Sequence, residues 1–425
     1  YLIFIRMQSL TLFSVCMLAL IAIGSANVTP ASIKLAYTSH DYEMRVTWYS
    51  KDSTATPSIM YSTNMFTPSG AGSTVNGAQA TSVSLSGTSG WTGYVNSGII
   101  TGLQSMTTYY YTCGDKKTGT WSNVYNFTTG VYPSKSNKVT PYSVVTYGDM
   151  VRYYKGLTIS NIVGRIDDFS YAMHVGDIAY ADSGSNGNQA TWDSFLSQVN
   201  PITSRLPYMV CPGNHDVFAK EKIYLQTFNM PSVSSGSTWY SYDFNGIHYV
   251  SFSSEDTYSS GSAQWNWIES DLKSYRAYNP TGWIVAWAHR PLYCSSKKSW
   301  CSPSDSGRAA FIKAIDQLFL KYNVDIFVSG HTHSYERTLP VNNNAVKGTL
   351  SAPKATVHFI IGTAGNKEGL IDGWVSLPKW STGPRIEKTG YGVINFANET
   401  HLQWQFLTDS NNAVEDECWV QKGKF

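Results

Sequence analysis

The sequence predicts an amino-terminal all-β sandwich followed by a larger, layered α/β domain. From Ala31 to about Gly130, apolar and polar residues alternate with a period of two, which is typical of antiparallel strands with one buried face. After Pro141, short and nearly unbroken apolar runs are separated by helical patterns, which indicates strands that helices cover. The chain has 425 residues, a length that accommodates two or three domains, each with its own core.

The composition is that of a folded protein without a polyanionic partner. Hydrophobic residues make up 42% of the chain and charged residues only 14%, so global disorder is excluded. The net charge is +2, from 31 basic and 29 acidic residues. A nucleic-acid-binding protein normally has a clear excess of Lys and Arg, so we expect no nucleic acid partner.

Residues 1–26 have the pattern of a signal peptide. The segment Leu10 to Ile23 is almost continuously apolar and is followed by the small residues Gly24, Ser25 and Ala26, which predicts cleavage before Asn27. A start at Met7 is an alternative. The apolar stretch is shorter than the ~20 residues of a membrane span, so an uncleaved anchor is the less favoured interpretation. We expect a secreted protein, or one in the lumen of a secretory or vacuolar compartment, without a stable membrane anchor.

Cysteines and glycosylation motifs agree with that compartment. After removal of Cys16, five cysteines remain, and an oxidising environment favours a local disulfide between Cys294 and Cys301. The partners of the other three cysteines stay open. Three Asn-X-Ser/Thr motifs are candidate glycosylation sites; they begin at Asn27, Asn126 and Asn398.

The predicted sandwich covers residues 27–130. Met44, Val46 and Trp48 alternate with polar or half-polar neighbours, and Tyr109 and Tyr111 repeat this pattern farther along the chain. Both series predict strands with one face turned to a core. Residues 131–140 are rich in Pro, Ser, Lys and Asn and are interpreted as a linker.

The α/β domain is predicted over residues 141–425, including a carboxyl-terminal β section. Its expected buried strands are Ser143–Tyr147, Tyr171–Val175, Tyr208–Val210, Trp283–Ala288 and Val324–Ser329. A helix is predicted from Phe311, Ala314, Ile315 and Leu318, which stand at i, i+3, i+4 and i+7. The β section is expected from Val393–Phe396, a turn, and the alternating residues that follow Thr400.

Each predicted buried strand ends in a polar cluster. The clusters are Gly148-Asp149-Met150, Gly176-Asp177-Ile178-Ala179-Tyr180-Ala181-Asp182, Gly213-Asn214-His215-Asp216, Ala288-His289-Arg290-Pro291 and Gly330-His331-Thr332-His333. In open α/β sheets, functional sites form where the carboxyl ends of the strands meet. Oxygen donors and imidazoles without thiolates suit Fe, Mn or Zn. Seven candidate ligands are too many for one ion, so we expect two metals that share a bridging carboxylate.

The ordered set of clusters resembles the calcineurin-type metallophosphoesterases, and Tyr180 narrows the resemblance to the purple acid phosphatases. Further similar stretches are Val210–His215, Trp239–Tyr242, Tyr335–Thr338 and Ile361–Asn366. The resemblance implies a fibronectin-III-like amino-terminal domain. It also implies two ligand sets. Fe(III) would be held by Asp149, Asp177, Tyr180 and His333, and a divalent ion (Zn, Fe or Mn) by Asp177, Asn214, His289 and His331.

The implied activity is acid hydrolysis of a small-molecule phosphate monoester by attack of a metal-bound hydroxide on phosphorus. A phenolate has an ordinary pKa near ~10 and needs a strongly acidic metal ion to stay ionised, so Tyr180 fits the trivalent site. His215 is the expected catalytic residue, because it follows a ligand and is cationic in acid. The alternatives are a phosphodiesterase or nucleotide pyrophosphatase with the same metal pair, and an inactive secreted binding module. The oligomeric state stays open.

Two positions depart from the family pattern. Val151 stands where the family usually has Gly, so the loop of Asp149 is expected to be reshaped. Where some relatives have histidines, this chain has Ser295, Ser296, Lys297 and Lys298. Either lysine could contact phosphate as a mobile charge, although we favour an exposed surface pair.

Overall fold

The computed structural model describes residues 26–422, apart from residues 71, 73, 152–156, 232–235 and 382. The predicted signal peptide therefore lies almost entirely outside the described residues. Within the described part of the chain, no helix is both long and apolar enough to cross a membrane.

The amino-terminal part is an all-antiparallel sheet of eight short strands. They run in the order β1-β2-β5-β4-β3-β6-β7, and β8 pairs with β6. The strands are β1 (Ala31–Ala36), β2 (Met44–Ser50), β3 (Pro57–Ser62), β4 (Asn76–Ser84), β5 (Tyr94–Ile100), β6 (Thr108–Asp115), β7 (Thr120–Trp121) and β8 (Tyr125–Thr128). Met44, Val46 and Trp48 are all buried, as their alternation predicts, and they share a core with Tyr111 of β6.

Two mixed sheets form the second part of the chain. The strands that follow β8 are β9 (Tyr142–Tyr147), β10 (Tyr171–Val175), β11 (Tyr208–Cys211), β12 (Tyr240–Phe244), β13 (Ile247–Ser251), β14 (Ile284–Trp287), β15 (Ile326–Ser329), β16 (Tyr335–Arg337), β17 (Val341–Asn342), β18 (Ala345–Val346), β19 (Gly348–Thr349), β20 (Ala352–Pro353), β21 (Val357–Ile361), β22 (Arg385–Ile386), β23 (Gly390–Phe396), β24 (His401–Thr408) and β25 (Val414–Gln421). One sheet has the order β11-β10-β9-β23-β24-β25 and the other β12-β13-β14-β15-β21-β16-β22. Two short hairpins, β17-β18 and β19-β20, lie outside both sheets.

Helices cover the outer faces of the two sheets. They are α1 (Thr158–Val163), α2 (Gln189–Thr203), α3 (Lys222–Thr227), α4 (Ala263–Tyr278), α5 (Ser306–Phe311) and α6 (Gln317–Lys321). Side chains alternate along each strand: Met173 and Val175 of β10 face the core between the sheets, whereas Ala172 packs with the residues of α1, α2 and α3. The order of layers is therefore helices, sheet, sheet, helices, which explains why these strands are apolar on both faces.

The predicted fold class is confirmed, with one local difference in the helix around Ile315. A π-helical turn, Ile312–Asp316, separates α5 from α6. Phe311, Ala314, Ile315 and Leu318 are nevertheless all buried in one core with Phe327 of β15. The wider turn is compatible with the apolar spacing that predicts a regular helix, so the sequence pattern alone does not distinguish the two.

The amino-terminal sheet packs directly on helix α2. The backbone N–H of Ile33 donates to Asn200 Oδ1 at 2.7 Å, and Thr203 Oγ1 donates to the carbonyl of Ile33 at 2.6 Å. Farther along, Trp91 stacks on Phe218 with ring centroids 6.1 Å apart, and its Nε1 donates to the carbonyl of Asn186 at 2.7 Å. These contacts join the amino-terminal part of the chain to α2, to the loop before α2 and to the segment after β11.

Candidate metal centre

The carboxyl ends of five parallel strands bring the predicted site residues together. β9, β10 and β11 run parallel in one sheet, and β14 and β15 run parallel in the other. The loops that leave these strands carry the seven predicted ligands and His215, which all lie in one region. The seven ligands are Asp149, Asp177, Tyr180, Asn214, His289, His331 and His333.

Four of the predicted ligands have left-handed backbone conformations. The φ angles are 60° at Asp149, 51° at Asp177, 51° at Tyr180 and 63° at His331. Such conformations are costly for residues with a Cβ and accumulate at functional sites, where the surrounding fold imposes them. The sheet ends thus hold these side chains in positions that the loop sequences alone do not favour.

One group of donor atoms surrounds Nε2 of His289. This atom lies 3.1 Å from Asp177 Oδ2, 3.2 Å from Asn214 Oδ1 and 3.2 Å from His331 Nδ1. The other ring nitrogen, Nδ1, is 3.0 Å from the carbonyl of Val175, to which it donates in the tautomer that leaves Nε2 free. Ligand atoms of Asp177, His289 and His331 all lie within 4.8 Å of one another, as a metal ion requires. This group is called the amide cluster, after Asn214.

A second group surrounds the phenol of Tyr180. Its hydroxyl is 3.1 Å from His333 Nε2 and 3.4 Å from Asp149 Oδ1, and these two partner atoms are 3.2 Å apart. His333 Nδ1 lies 2.8 Å from the carbonyl of Gly369, an arrangement that leaves Nε2 available as a ligand. This group is called the phenol cluster.

Short contacts hold the carboxylates of the two clusters in place. Asp149 Oδ2 accepts a hydrogen bond from the backbone N–H of His331 at 2.9 Å, and Asp177 Oδ1 accepts one from that of His215 at 2.9 Å. At Gly176, with φ of 83°, an added Cβ would lie 2.6 Å from His289 Nδ1. A glycine is therefore needed for His289 to approach this closely.

The electrostatics of the site fit bound cations. Burial and the nearby carboxylates of Asp149 and Asp177 raise the pKa of the Tyr180 phenol far above its usual range. The surroundings of the phenol therefore oppose its ionisation, and a highly charged cation would have to supply the compensation. Convergent carboxylate, amide and imidazole donors, with backbone carbonyls on the outer imidazole nitrogens, are a donor set that suits Fe, Mn or Zn.

His215 lies beside the phenol cluster. Its ring is 4.3 Å from that of Tyr180, and its side chain is 17% exposed. Nδ1 is 2.6 Å from Asp182 Oδ2, and Nε2 is 3.4 Å from Glu368 Oε1. The sequence reasoning gave no role to Asp182, although it ends the second cluster, or to Glu368, which follows the Gly365-Asn366 stretch.

Asp216 is a further buried residue without a role in the sequence interpretation. Its carboxylate accepts hydrogen bonds from the N–H groups of Gly213 at 2.8 Å and Ile178 at 3.1 Å. Burial and the charge of Asp177 raise its pKa well above the usual range. Asp216 thereby ties the loop of Asp177 to the loop of Asn214. Its position two residues after a predicted ligand is the signal that could have identified it.

The two positions that depart from the family pattern make the following contacts. The N–H of Val151 donates to the carbonyl of Gly365 at 2.9 Å, which attaches the Asp149 loop to the segment before Glu368. Lys297 is exposed, and Lys298 forms a 3.8 Å ion pair with Asp372. The disulfide between Cys294 and Cys301 is present, and Cys113, Cys211 and Cys418 are buried free thiols.

Three family models match successive parts of the chain. Residues 30–129 match the purple acid phosphatase N-terminal domain, residues 146–335 match the calcineurin-like phosphoesterases, and residues 355–417 match the iron/zinc purple acid phosphatase-like protein C domain. The amino-terminal sheet, the loops with the seven predicted ligands, and the carboxyl-terminal strands thus each match a separate model.

Individual relatives agree with these matches. The chain is 31% identical to mouse acid phosphatase type 7 over 349 residues, which are 77% of each protein. It is 29% identical to Fe(3+)-Zn(2+) purple acid phosphatase 12 of Arabidopsis thaliana over 77% of this chain and 72% of that protein. The purple acid phosphatase PPD1 of yellow lupin shares the fold, with a TM-score of 0.81 and 23% identity over 94% of this chain and 75% of that one. The chain therefore belongs to the purple acid phosphatase family of dinuclear metallophosphoesterases.

Proposed function

We propose that this protein is a secreted acid phosphatase that hydrolyses small-molecule phosphate monoesters at an Fe(III)–M(II) centre. The observation that carries the proposal is the packing of Asp177 Oδ2, Asn214 Oδ1 and His331 Nδ1 around His289 Nε2, each within 3.2 Å. Carboxylate, amide and imidazole atoms that converge on one point at these distances form a donor set typical of a divalent metal ion. With a cation at the centre, the same arrangement is favourable.

The proposed ligand sets follow the two clusters. Asp149, Tyr180 and His333 of the phenol cluster would hold Fe(III), together with Asp177. The amide cluster, formed by Asn214, His289, His331 and the shared Asp177, would hold Zn, Fe or Mn in the divalent state. Bound ions supply Lewis acidity, which neutralises the phosphate oxygens and makes water a nucleophile in acid solution.

The chain's own contribution is to position these groups and to move a proton. We propose that His215 donates Nε2–H toward the phosphate ester, where it stabilises the phosphoryl oxygens or protonates the leaving alkoxide. Asp182 accepts the Nδ1–H bond at 2.6 Å, which fixes the orientation of the ring. Val175 and Gly369 orient His289 and His333 through their carbonyls.

The proposal extends to the location of the protein and to the division of its chain into domains. We propose a signal peptide over residues 1–26, a sandwich domain over 27–130, a linker over 131–140 and a catalytic domain over 141–425. Of the three candidate glycosylation sites, Asn27 and Asn398 are exposed and Asn126 is half-buried. A disulfide between Cys294 and Cys301 supports an oxidising compartment.

Steady-state kinetics on the purified, metal-analysed protein test the proposal. We expect hydrolysis of a monoester such as phenyl phosphate at acidic pH, with slower turnover of bis(phenyl) phosphate and of a nucleotide pyrophosphate. A higher kcat/KM for the diester or the pyrophosphate would favour the diesterase alternative. Absence of turnover on all three substrates by metal-loaded protein would favour the inactive binding module.

A further inference from the structure

A basic cavity lies where the amino-terminal sheet meets α3 and β12. Its volume is about 450 Å³, and residues of β2, β4 and β5 form one side of it. The charged residues of its lining are Arg45, Lys220 and Lys222, and no described Asp or Glu belongs to the lining. A cleft lined by charges of one sign concentrates their electrostatic potential and attracts ions of the opposite sign. The basic cavity is therefore a candidate anion site.

Arg45 of β2 has a buried N–H group without an acceptor. Its Nη1 donates to Ser97 Oγ at 3.4 Å, but its Nε is buried and has no hydrogen-bond partner among the described residues. Burial lowers the pKa of the guanidinium, and the charge of Glu43 offsets this effect only in part. A buried charged donor that lacks an acceptor is costly. An oxyanion in the basic cavity would supply that acceptor.

The two lysines are not neutralised by a neighbour. In the part of the chain that the structure describes, neither Lys220 nor Lys222 forms a hydrogen bond or an ion pair. Glu221 stands between them, but burial and then the charges of Asp256 and Glu255 raise its pKa to about 7. In mildly acidic solution this carboxyl is therefore mostly uncharged. The positive charge of the lysines remains available to a ligand.

An uncharged side chain of the lining favours a phosphate over a carboxylate. Gln226 Oε1 is buried and, within the described ranges, has no hydrogen-bond partner. A phosphate group that retains a proton in mildly acidic solution can donate to this oxygen, whereas a carboxylate ion cannot. The basic cavity thus combines donors for a negative charge with an acceptor for one proton.

We propose that the basic cavity binds a tetrahedral oxyanion of the phosphate class, either free phosphate or the phosphate group of a larger molecule. Arg45 would donate its unpaired Nε–H to one oxygen and an Nη–H to another. Lys220 and Lys222 would add mobile charges. The inference goes beyond the proposed function and does not depend on it, because no residue of this cavity belongs to either metal cluster.

Equilibrium dialysis of the metal-loaded protein against radiolabelled phosphate counts the phosphate sites. We expect two phosphates per chain, one at the metal centre and one in the basic cavity. Arg45→Met should weaken the second site by about 10-fold, because a charge-assisted pair of hydrogen bonds is lost. Lys220→Met combined with Lys222→Met should weaken it by about 3-fold or more. The competitive Ki of phosphate in steady-state hydrolysis reports the metal centre and should not change in either variant.

A matched charge change and two further anions serve as controls. Lys116→Met combined with Lys117→Met alters an exposed pair between β6 and β7 and should leave both sites intact. Acetate at the same ionic strength should not displace the second phosphate. Dialysis with methylphosphonate identifies the source: tighter binding of phosphate favours the free ion, and tighter binding of methylphosphonate favours a phosphate group on a larger molecule.

Three results would overturn the anion site. They are a single phosphate per chain in the wild type, a second site that persists undiminished in both cavity variants, and an equal loss in the control variant with Lys116 and Lys117 replaced. Absence of phosphatase activity would contradict the proposed function instead, and dialysis would still count the phosphate in the basic cavity.

Discussion

The phenol cluster and the amide cluster are neighbours, yet their donor atoms differ in charge. The phenol cluster combines Tyr180 and Asp149 with one imidazole, whereas the amide cluster combines neutral Asn214 with two imidazoles. Both are built from loops at the same sheet ends, and Asp177 is proposed for both. On the proposed assignment, this difference in donor charge is why one cluster would favour a trivalent ion and the other a divalent ion. Substitutions can therefore disrupt one cluster while leaving the other in place.

The largest expected effect comes from breaking the amide cluster. His289→Ala or Asn214→Ala should remove the divalent ion and lower kcat by about three orders of magnitude or more, because phosphate loses one of two metal contacts. Metal analysis and steady-state kinetics measure both effects, and circular dichroism checks the fold. His401→Ala, a change outside both clusters, is the control. Near-full metal content and activity in both cluster variants would contradict the two-metal assignment.

Tyr180→Phe should break the phenol cluster selectively. A phenolate bound to Fe(III) gives a visible charge-transfer band, and the variant keeps the aromatic ring but loses the donor oxygen. We expect the iron-loaded, oxidised wild type to be coloured and the variant to be bleached, with near-unchanged thermal stability. Absorption spectroscopy measures the band. Either a colourless wild type or a coloured variant would show that Tyr180 is not an iron ligand.

The next prediction concerns His215, whose ring packs against Tyr180 of the phenol cluster. Activity should peak in mildly acidic solution and fall at higher pH. His215→Ala should lower kcat by about 100-fold, in the range for general acid catalysis, and remove the alkaline limb of the profile. The measurement is kcat against pH for both proteins. An unchanged alkaline limb in the variant would exclude this role.

The smallest expected effect concerns His248, a buried histidine outside both clusters that contributes to stability. His248 lies between Asp243 at 2.9 Å and Asp271 at 2.8 Å, and it stacks on Tyr275. Burial opposes its charge, but the two carboxylates outweigh burial and raise its pKa to about 9. The folded state therefore holds this proton more tightly than the unfolded chain, where the pKa is near ~6.5. The resulting stabilisation is complete below the unfolded value and is lost as pH rises through the folded one.

The corresponding prediction compares wild type with His248→Gln in urea unfolding. The wild-type advantage in unfolding free energy should decrease by about 3 kcal/mol between pH 6 and pH 9.5, as the proton is lost. The pH profile of kcat should not change, because His248 does not belong to either metal cluster. A constant advantage across this range would mean that the ring packs as a neutral group.

Much of the fold was predictable because buried parallel strands have a distinctive sequence pattern. The runs that form β9, β10, β11, β14 and β15 are continuous, apolar and followed by polar clusters. The edge strands β12 and β22 and the short inner strand β16 were not predicted. β16 and β22 have three and two residues, respectively. Their pairing with other strands is long-range, so no local spacing indicates it.

The site was predictable as a set of residue types but not as a set of contacts. Left-handed backbone at Asp149 and His331 depends on tertiary structure, which can override local preference. The partners Glu255 of Arg290 and Glu368 of His215 come from loops that are distant in sequence. A single sequence contains the carboxylates but does not contain information about which side chain each one meets.

The contacts between β1 and α2 limit how the amino-terminal part of the chain could be replaced by another domain. Trp91 and Ile33 anchor the amino-terminal sheet to the helix and loops that follow Asp182. A tethered module could be exchanged for another of similar size, because its linker is the only connection. Here a replacement would have to reproduce an aromatic anchor, a strand edge and their spacing. Exchange of one part of the chain therefore requires a replacement that already carries these complementary contacts.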